Sequence, residues 1–181
     1  MRIVLLGPPG AGKGMQANKL SSKLSIPQIS TGHLFRKSVN DGTLLGLQVK
    51  KCLDTGNLVS LDLTNKLIRD RMNRNDILKG FILDGYPRSI AQASALNLIL
   101  TEYNIKLDAV FIFHISKNEI LSRLKSRGRK DDTNKVIHYR IKLYMNEVEM
   151  LSIYYRNQLK LINAIGEVDE ISLQMINLLH K

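Results

Sequence analysis

Nine residues near the start, Gly7-Pro8-Pro9-Gly10-Ala11-Gly12-Lys13-Gly14-Met15, constrain this chain more than any other feature. An apolar run, Ile3-Val4-Leu5-Leu6, precedes them, and a helical pattern begins near Gln16. Strand, glycine-rich turn and helix start, in that order, make a phosphate-binding loop. Glycines let the backbone wrap closely around an anion with its N–H groups turned inward. The helix start adds partial positive charge, and Lys13 has the reach to touch terminal phosphates. The loop therefore implies binding of a nucleoside triphosphate.

A chain of 181 residues with 44% hydrophobic content suits one soluble domain with a sizeable core. No stretch approaches the ~20 apolar residues of a membrane span, and Met1 leads directly into a strand without a leader pattern. Cys52 is the single cysteine, which excludes an internal disulfide or a cysteine zinc cluster. These features predict a cytoplasmic protein. The net charge of +11 raises the question of nucleic acid. Yet the lysines and arginines are scattered, Trp is absent and only four Phe are present, so stacking platforms are scarce. No nucleic acid partner is expected.

Strand and helix patterns alternate from end to end. Residues 2–6 read as a strand and 13–24 as a helix, followed by an extended piece at 28–30. Helices are expected around Leu34–Val39, Leu44–Leu53 and 60–73, with Ser30 or Thr31 capping the first of them. Phe81-Ile82-Leu83 and Ala109–Ile115 read as buried strands, with a helix over Ser89–Tyr103 between them. Helices near 117–127 and 133–160, a strand at Leu161–Ile165 and a closing helix complete the pattern. The fold class is α/β: a five-stranded parallel sheet with helices on both faces and ligands at the carboxyl ends of its strands.

Three segments carry a resemblance to a known family. Residues 7–14, Gln28-Ile29-Ser30-Thr31-Gly32, and Gly80-Phe81-Ile82-Leu83-Asp84-Gly85-Tyr86-Pro87-Arg88 resemble three signatures of adenylate kinase, in that family's order and spacing. The similarity runs from residue 1 to about 166 and is closest to the short form of the family, which lacks the large lid. It implies a P-loop nucleoside monophosphate kinase fold over one domain, residues 1–181. Within it lie the phosphate loop at 7–15, an AMP-binding part at 30–59 and a short lid stub at 126–132. The implied reaction moves the terminal phosphoryl group of ATP onto AMP and yields two ADP. The implied partners are thus ATP, AMP and ADP, with no membrane, and the implied state is a monomer.

The resemblance also assigns roles by position. Gly10, Ala11, Gly12, Lys13, Gly14 and Met15 would wrap the ATP phosphates, with Arg127 on them and Gly166 passing beside the ATP base. Thr31 and Gln92 would contact the AMP base, while Arg36 and Arg88 hold its phosphate. Asn57, Leu58 and Val59 would line that pocket, and Gly85, Tyr86, Pro87 and Arg88 would form the acceptor loop. Arg129 and Arg140 would close over the transferring phosphoryl, and Arg123 would stack on adenine. Asp84 would orient water on Mg²⁺, which comes with ATP and has no direct protein ligand. Asp131 and Asp132 either assist or pair with the arginines. The physics agrees with this reading, because phosphoryl transfer depends on positioning and cations. The seven cations Lys13, Arg36, Arg88, Arg123, Arg127, Arg129 and Arg140 suit it.

The sequence departs from the pattern at a few places. Met15 stands where threonine is usual, which removes a hydroxyl and predicts weakened but real activity. His33 replaces a common acidic residue, and Ser60 replaces a proline and is expected to loosen a helix start. The stub at 126–132 is too short for a cysteine-bearing lid, so no structural zinc is expected. The alternatives are another nucleoside monophosphate kinase or a catalytically impaired nucleotide-binding protein.

Overall fold

A computed structural model describes residues 1–129 and 132–180. Its strands are β1 (Arg2–Leu6), β2 (Gln28–Ser30), β3 (Phe81–Asp84), β4 (Ala109–His114) and β5 (Leu159–Asn163). They form one sheet in the order β2-β3-β1-β4-β5, with every pairing parallel. The phosphate loop thus leaves the central strand, flanked by the ends of β3 and β4.

The helices are α1 (Lys13–Leu24), α2 (Thr31–Asn40), α3 (Leu44–Thr55), α4 (Leu61–Met72), α5 (Ile90–Glu102), α6 (Lys117–Arg127), α7 (Asn134–Tyr154) and α8 (Val168–Leu179). Successive strand residues face opposite sides, so β1 feeds two cores. Ile3 and Leu5 join Ala17 and Leu20 of α1 and Ile171 and Met175 of α8. Val4 and Leu6 join Ile68 of α4 and Leu96 and Ile99 of α5. The near-unbroken apolar character of the strands follows from burial on both faces.

A third, small core holds the segment from α2 to α4 around Phe35, Val49 and Val59, with Cys52 half-buried against it. Gly46 lets α3 lie close on the preceding helix, since a Cβ there would meet the Ser38 carbonyl oxygen at 2.1 Å. Ile68 and Met72 of α4 belong to the sheet core as well, so the segment is anchored to the sheet through α4.

The sequence pattern over 133–165 needs correction. The seventh helix ends at Tyr154, not near 160, and β5 occupies 159–163 rather than 161–165. Gln158 closes a turn by donating to the Tyr155 carbonyl at 2.9 Å, and its own carbonyl accepts from Val110. Pairing of Leu159 and Lys160 with β4 therefore outweighs their compatibility with helix. His180 follows directly on the end of α8.

Candidate active site

Helix starts need partners for their first N–H groups, and most helices here find them in a side chain. Thr43, Ser60, Ser89, Ser116 and Thr133 accept from the third residue onward at the starts of α3, α4, α5, α6 and α7. Ser60 thus caps its helix, whereas the sequence pattern had it loosening that start. Helices α1 and α2 differ: neither has a side-chain cap or an acidic residue in its first turn. Both begin at the carboxyl edge of the sheet, after β1 and β2. Two uncapped, acid-free helix starts on one edge make two poles for anions.

The loop before α1 is shaped for close approach. Gly10 has φ +83°, and a Cβ there would sit 3.0 Å from Leu124. Lys13 Nζ donates to the carbonyls of Gly7 and Pro8, each at 2.7 Å, so the loop holds its own cation. Lys13 keeps a partly open face, but the surrounding protein desolvates its ammonium and pushes the pKa down to about 8. Asp84 opposes that shift, while Arg88, Arg127 and Arg129 reinforce it. A bound phosphate favours the charged form and raises the value again. Between pH 8 and 9.5, where a nucleoside triphosphate is already fully ionised, its binding is therefore expected to take up protons. Calorimetry at one pH in two buffers of different ionisation enthalpy measures this directly; equal observed enthalpies in the two would contradict it.

Around the loop opens a cavity of about 770 Å³. All seven cations named above line it, and Asp84 is the one carboxylate among its described lining residues. Such a surplus of positive charge favours a ligand carrying several negative charges. Its lining comes from two groups of elements. Arg36, Asn57, Leu58, Val59 and Thr64 belong to the α2–α4 segment, and Ser122, Arg123, Gly166 and Ile171 to α6, α8 and the turn before α8.

Arg88 enters the same cavity from the loop after β3. Its Nε donates to the Gly85 carbonyl at 2.7 Å, and its backbone N–H to Gln92 Oε1 at 2.7 Å. Its side chain is open to the cavity, yet desolvation lowers its pKa, with Asp84 opposing. The guanidinium stays charged all the same. Gly85 has φ +77°, and a Cβ there would come within 2.9 Å of the Arg88 guanidinium. Thr31 is buried, with its hydroxyl donating to the Gly85 carbonyl at 3.0 Å. Gln92, 5% exposed, has its carbonyl oxygen taken by Arg88.

One buried carboxylate gathers two of the arginines, from the end of α6 and from α7. Asp132, with a 3% exposed side chain, accepts from Arg127 Nε and Nη2 at 2.8 and 2.9 Å and from Arg140 Nη1 at 3.1 Å. Of the two readings open for Asp132, pairing with arginines is the one observed; Asp131 lies outside the described residues. Arg140 also donates to the Leu53 carbonyl at 3.0 Å, and the Tyr139 hydroxyl donates to Asn57 Oδ1 at 2.8 Å. These two contacts join α7 to the α2–α4 segment. Arg123 pairs with Glu119 at 2.6 Å within α6, and Arg129 faces the cavity.

A profile of the adenylate kinase family matches residues 5–160. The chain belongs to the adenylate kinase family. It is 60% identical to an adenylate kinase of Mycolicibacterium smegmatis over 171 residues, covering 94% of both chains. It is 53% identical to one of Mycobacterium marinum over 181 residues, covering 100% of both.

Of the residues that the family resemblance singled out, Gly10 through Met15, Gly166, Arg127 and most of the acceptor set meet in this cavity. Two do not. Tyr86 is fully buried, donates from its hydroxyl to Asn65 Oδ1 at 2.9 Å, and has its phenol pKa pushed up by burial. Pro87 lines a smaller pocket of about 90 Å³ behind the loop, with Leu143, Tyr144 and Leu151. Sequence reasoning missed Gln16, Glu119, Leu53 and Tyr139. Gln16 carried a signal, a polar residue beside the buried Ala17, but partners far apart in sequence carried none.

Proposed function

We propose that this chain transfers the terminal phosphoryl group of ATP to AMP, giving two ADP, and so balances adenine nucleotides. The observation that carries this reading is the convergence of seven cations on one cavity that also takes in two uncapped helix starts. An AMP phosphate oxygen attacks the γ-phosphorus, and the bond from that phosphorus to the bridging oxygen of ADP breaks. The attacking oxygen is already anionic, so no general base is needed. The cations offset the repulsion of two polyanions and hold them in line.

Roles follow from position. Lys13 leaves the carbonyls of Gly7 and Pro8 to meet the donor phosphates. Arg36 and Arg88 take the AMP phosphate, and Arg127, Arg129 and Arg140 close from the stub as Asp132 yields part of its hold. Thr31, Gln92 and the 57–59 segment receive the AMP base, with Arg123 on the donor base. Asp84 ends β3, and its Oδ2 lies 3.4 Å from where a Cβ on Gly14 would stand. One carboxylate beside a phosphate cradle suits Mg²⁺, which keeps several waters and takes its other oxygens from phosphates. When bound, the ion neutralises phosphate charge; Asp84 and Gln28, whose Nε2 donates to it at 3.4 Å, orient the water shell. The family resemblance supports a monomer, and the single cysteine supports a cytoplasmic setting.

A coupled assay tests the reading. ADP is expected from ATP with AMP and not from ATP with UMP, CMP or GMP. Product with UMP or CMP alone would make it a different monophosphate kinase; no product with any acceptor would make it an impaired nucleotide-binding protein.

Met15 is 56% exposed at the cavity, and its N–H donates to the Gly12 carbonyl at 3.0 Å. That N–H is held by the helix start, so Met15 brings neither a hydroxyl nor an unengaged donor. Met15→Thr is expected to raise kcat/KM for ATP by about tenfold, since a hydrogen bond to a charged group contributes roughly 1.5–3 kcal/mol. Steady-state kinetics with ATP varied at saturating AMP checks this, and an unchanged value would mean that the hydroxyl is dispensable in this loop.

A further inference from the structure

Gln16 is a polar side chain kept where an apolar one would pack. It stands in the first turns of α1 and is 2% exposed. Its Nε2 donates to the Val168 carbonyl at 2.8 Å, at the start of α8. A carbonyl accepts only from the NH₂ side, which fixes the orientation of the carboxamide. Its Oε1 is buried with no partner, as is the hydroxyl of Ser172, one turn along α8 from Val168. Buried, half-satisfied polar groups are unfavourable in themselves and point to a role beyond packing.

That role follows from where the bond lies. The sheet order sets α8, after β5, on the opposite side of the phosphate loop from the α2–α4 segment. Gly166, Val168 and Ile171 form a wall of the cavity there, facing Arg123. An apolar wall with open backbone at Gly166, next to a triphosphate cradle, is chemistry for the edge and face of a base. The Gln16 amide ties this wall to the helix that starts at Lys13. On the surface the same seam carries the Lys19–Asp169 pair, whose aspartate is almost fully exposed and which is therefore weak.

We propose that Gln16 is a positioning residue for the donor base: it holds the Gly166–Val168 wall at a set reach from the phosphate loop. Base and triphosphate of one nucleotide are then gripped together, and the base edge is read by backbone groups whose position the amide fixes. The inference rests on the reading of ATP as donor.

The test compares a ligand that has a base with one that lacks it. Gln16→Met keeps the length and removes both polar ends; Gln16→Leu removes them with a branched side chain and likewise adds no charge. In both, the ATP dissociation constant is expected to rise about 5–10-fold, while that of inorganic tripolyphosphate stays within about twofold. The preference for ATP over GTP as donor is expected to shrink by a similar factor, with KM for AMP unchanged. Equal weakening of ATP and tripolyphosphate, or no weakening of either, overturns the proposal. Should neither variant fold, hydrogen exchange on the unaltered protein decides. Tripolyphosphate alone must then slow exchange at Gly166–Val168, and no slowing overturns the proposal. ADP formation from ATP and AMP by the unaltered protein is measured first. Its absence defeats the reading of function, whereas turnover with an unmoved ATP-to-tripolyphosphate ratio defeats the Gln16 inference alone.

Discussion

Arg88→Ala is expected to lower turnover of ATP with AMP by about 10³–10⁵-fold, the range for an arginine that stabilises transferring phosphoryl charge. The size of the effect comes from how the side chain is held. Its Nε is fixed on the Gly85 carbonyl and its backbone on Gln92, so the guanidinium points into the cavity before any ligand arrives. A group held in advance loses little freedom when the charge develops. Arg88→Lys is expected to recover only part of the rate, because a point charge does not reproduce the planar fork. Initial rates of ADP formation, with circular dichroism to show that each variant is folded, make the measurement. Near-normal turnover in the alanine variant would remove Arg88 from the reacting centre.

Asp132→Ala is expected to destabilise the protein by about 3 kcal/mol, the low end for breaking a buried ion pair. The carboxylate is buried, but Arg127 and Arg140 keep 28% and 14% of their side-chain surface, and water partly compensates them. For a chain of this size that corresponds to a melting temperature lower by roughly 6–12 °C. Nucleotide is expected to offset part of this loss. Phosphates supply the negative charge that the two arginines have lost, so saturating ATP should raise the melting temperature of the variant more than that of the unaltered protein. Differential scanning calorimetry with and without ATP checks both parts. An unchanged melting temperature, or equal ligand-induced increments, would show that Asp132 does not organise the stub.

Legibility in the sequence followed the range of the interactions. The phosphate loop was readable because strand, glycines, lysine and helix start are neighbours in the chain. The buried strands β1, β3 and β4 were readable because burial on both faces leaves a short, dense apolar run. The stretch from 133 to 165 was misjudged at its boundaries. Leu159 and Lys160 are compatible with helix, and what makes them strand is the row of β4 groups waiting at Val110 and Phe111. Ser60 was misjudged too, since a missing proline looked like a loss while its hydroxyl reaches the Leu63 N–H. The core position of Tyr86 was hidden for a similar reason: it lies in the loop after β3, and its partner Asn65 lies on α4, 21 positions away.

By itself the sequence determined the layered α/β class, the phosphate loop and the inventory of cations, because each is written in local order and periodicity. Only the tertiary structure decided which arginines share Asp132, that α7 is joined to the α2–α4 segment through Leu53 and Asn57, and that Gln16 reaches Val168. Those contacts join residues from 5 to 152 positions apart. Their geometry depends on how the helices pack on the sheet, which no local pattern encodes.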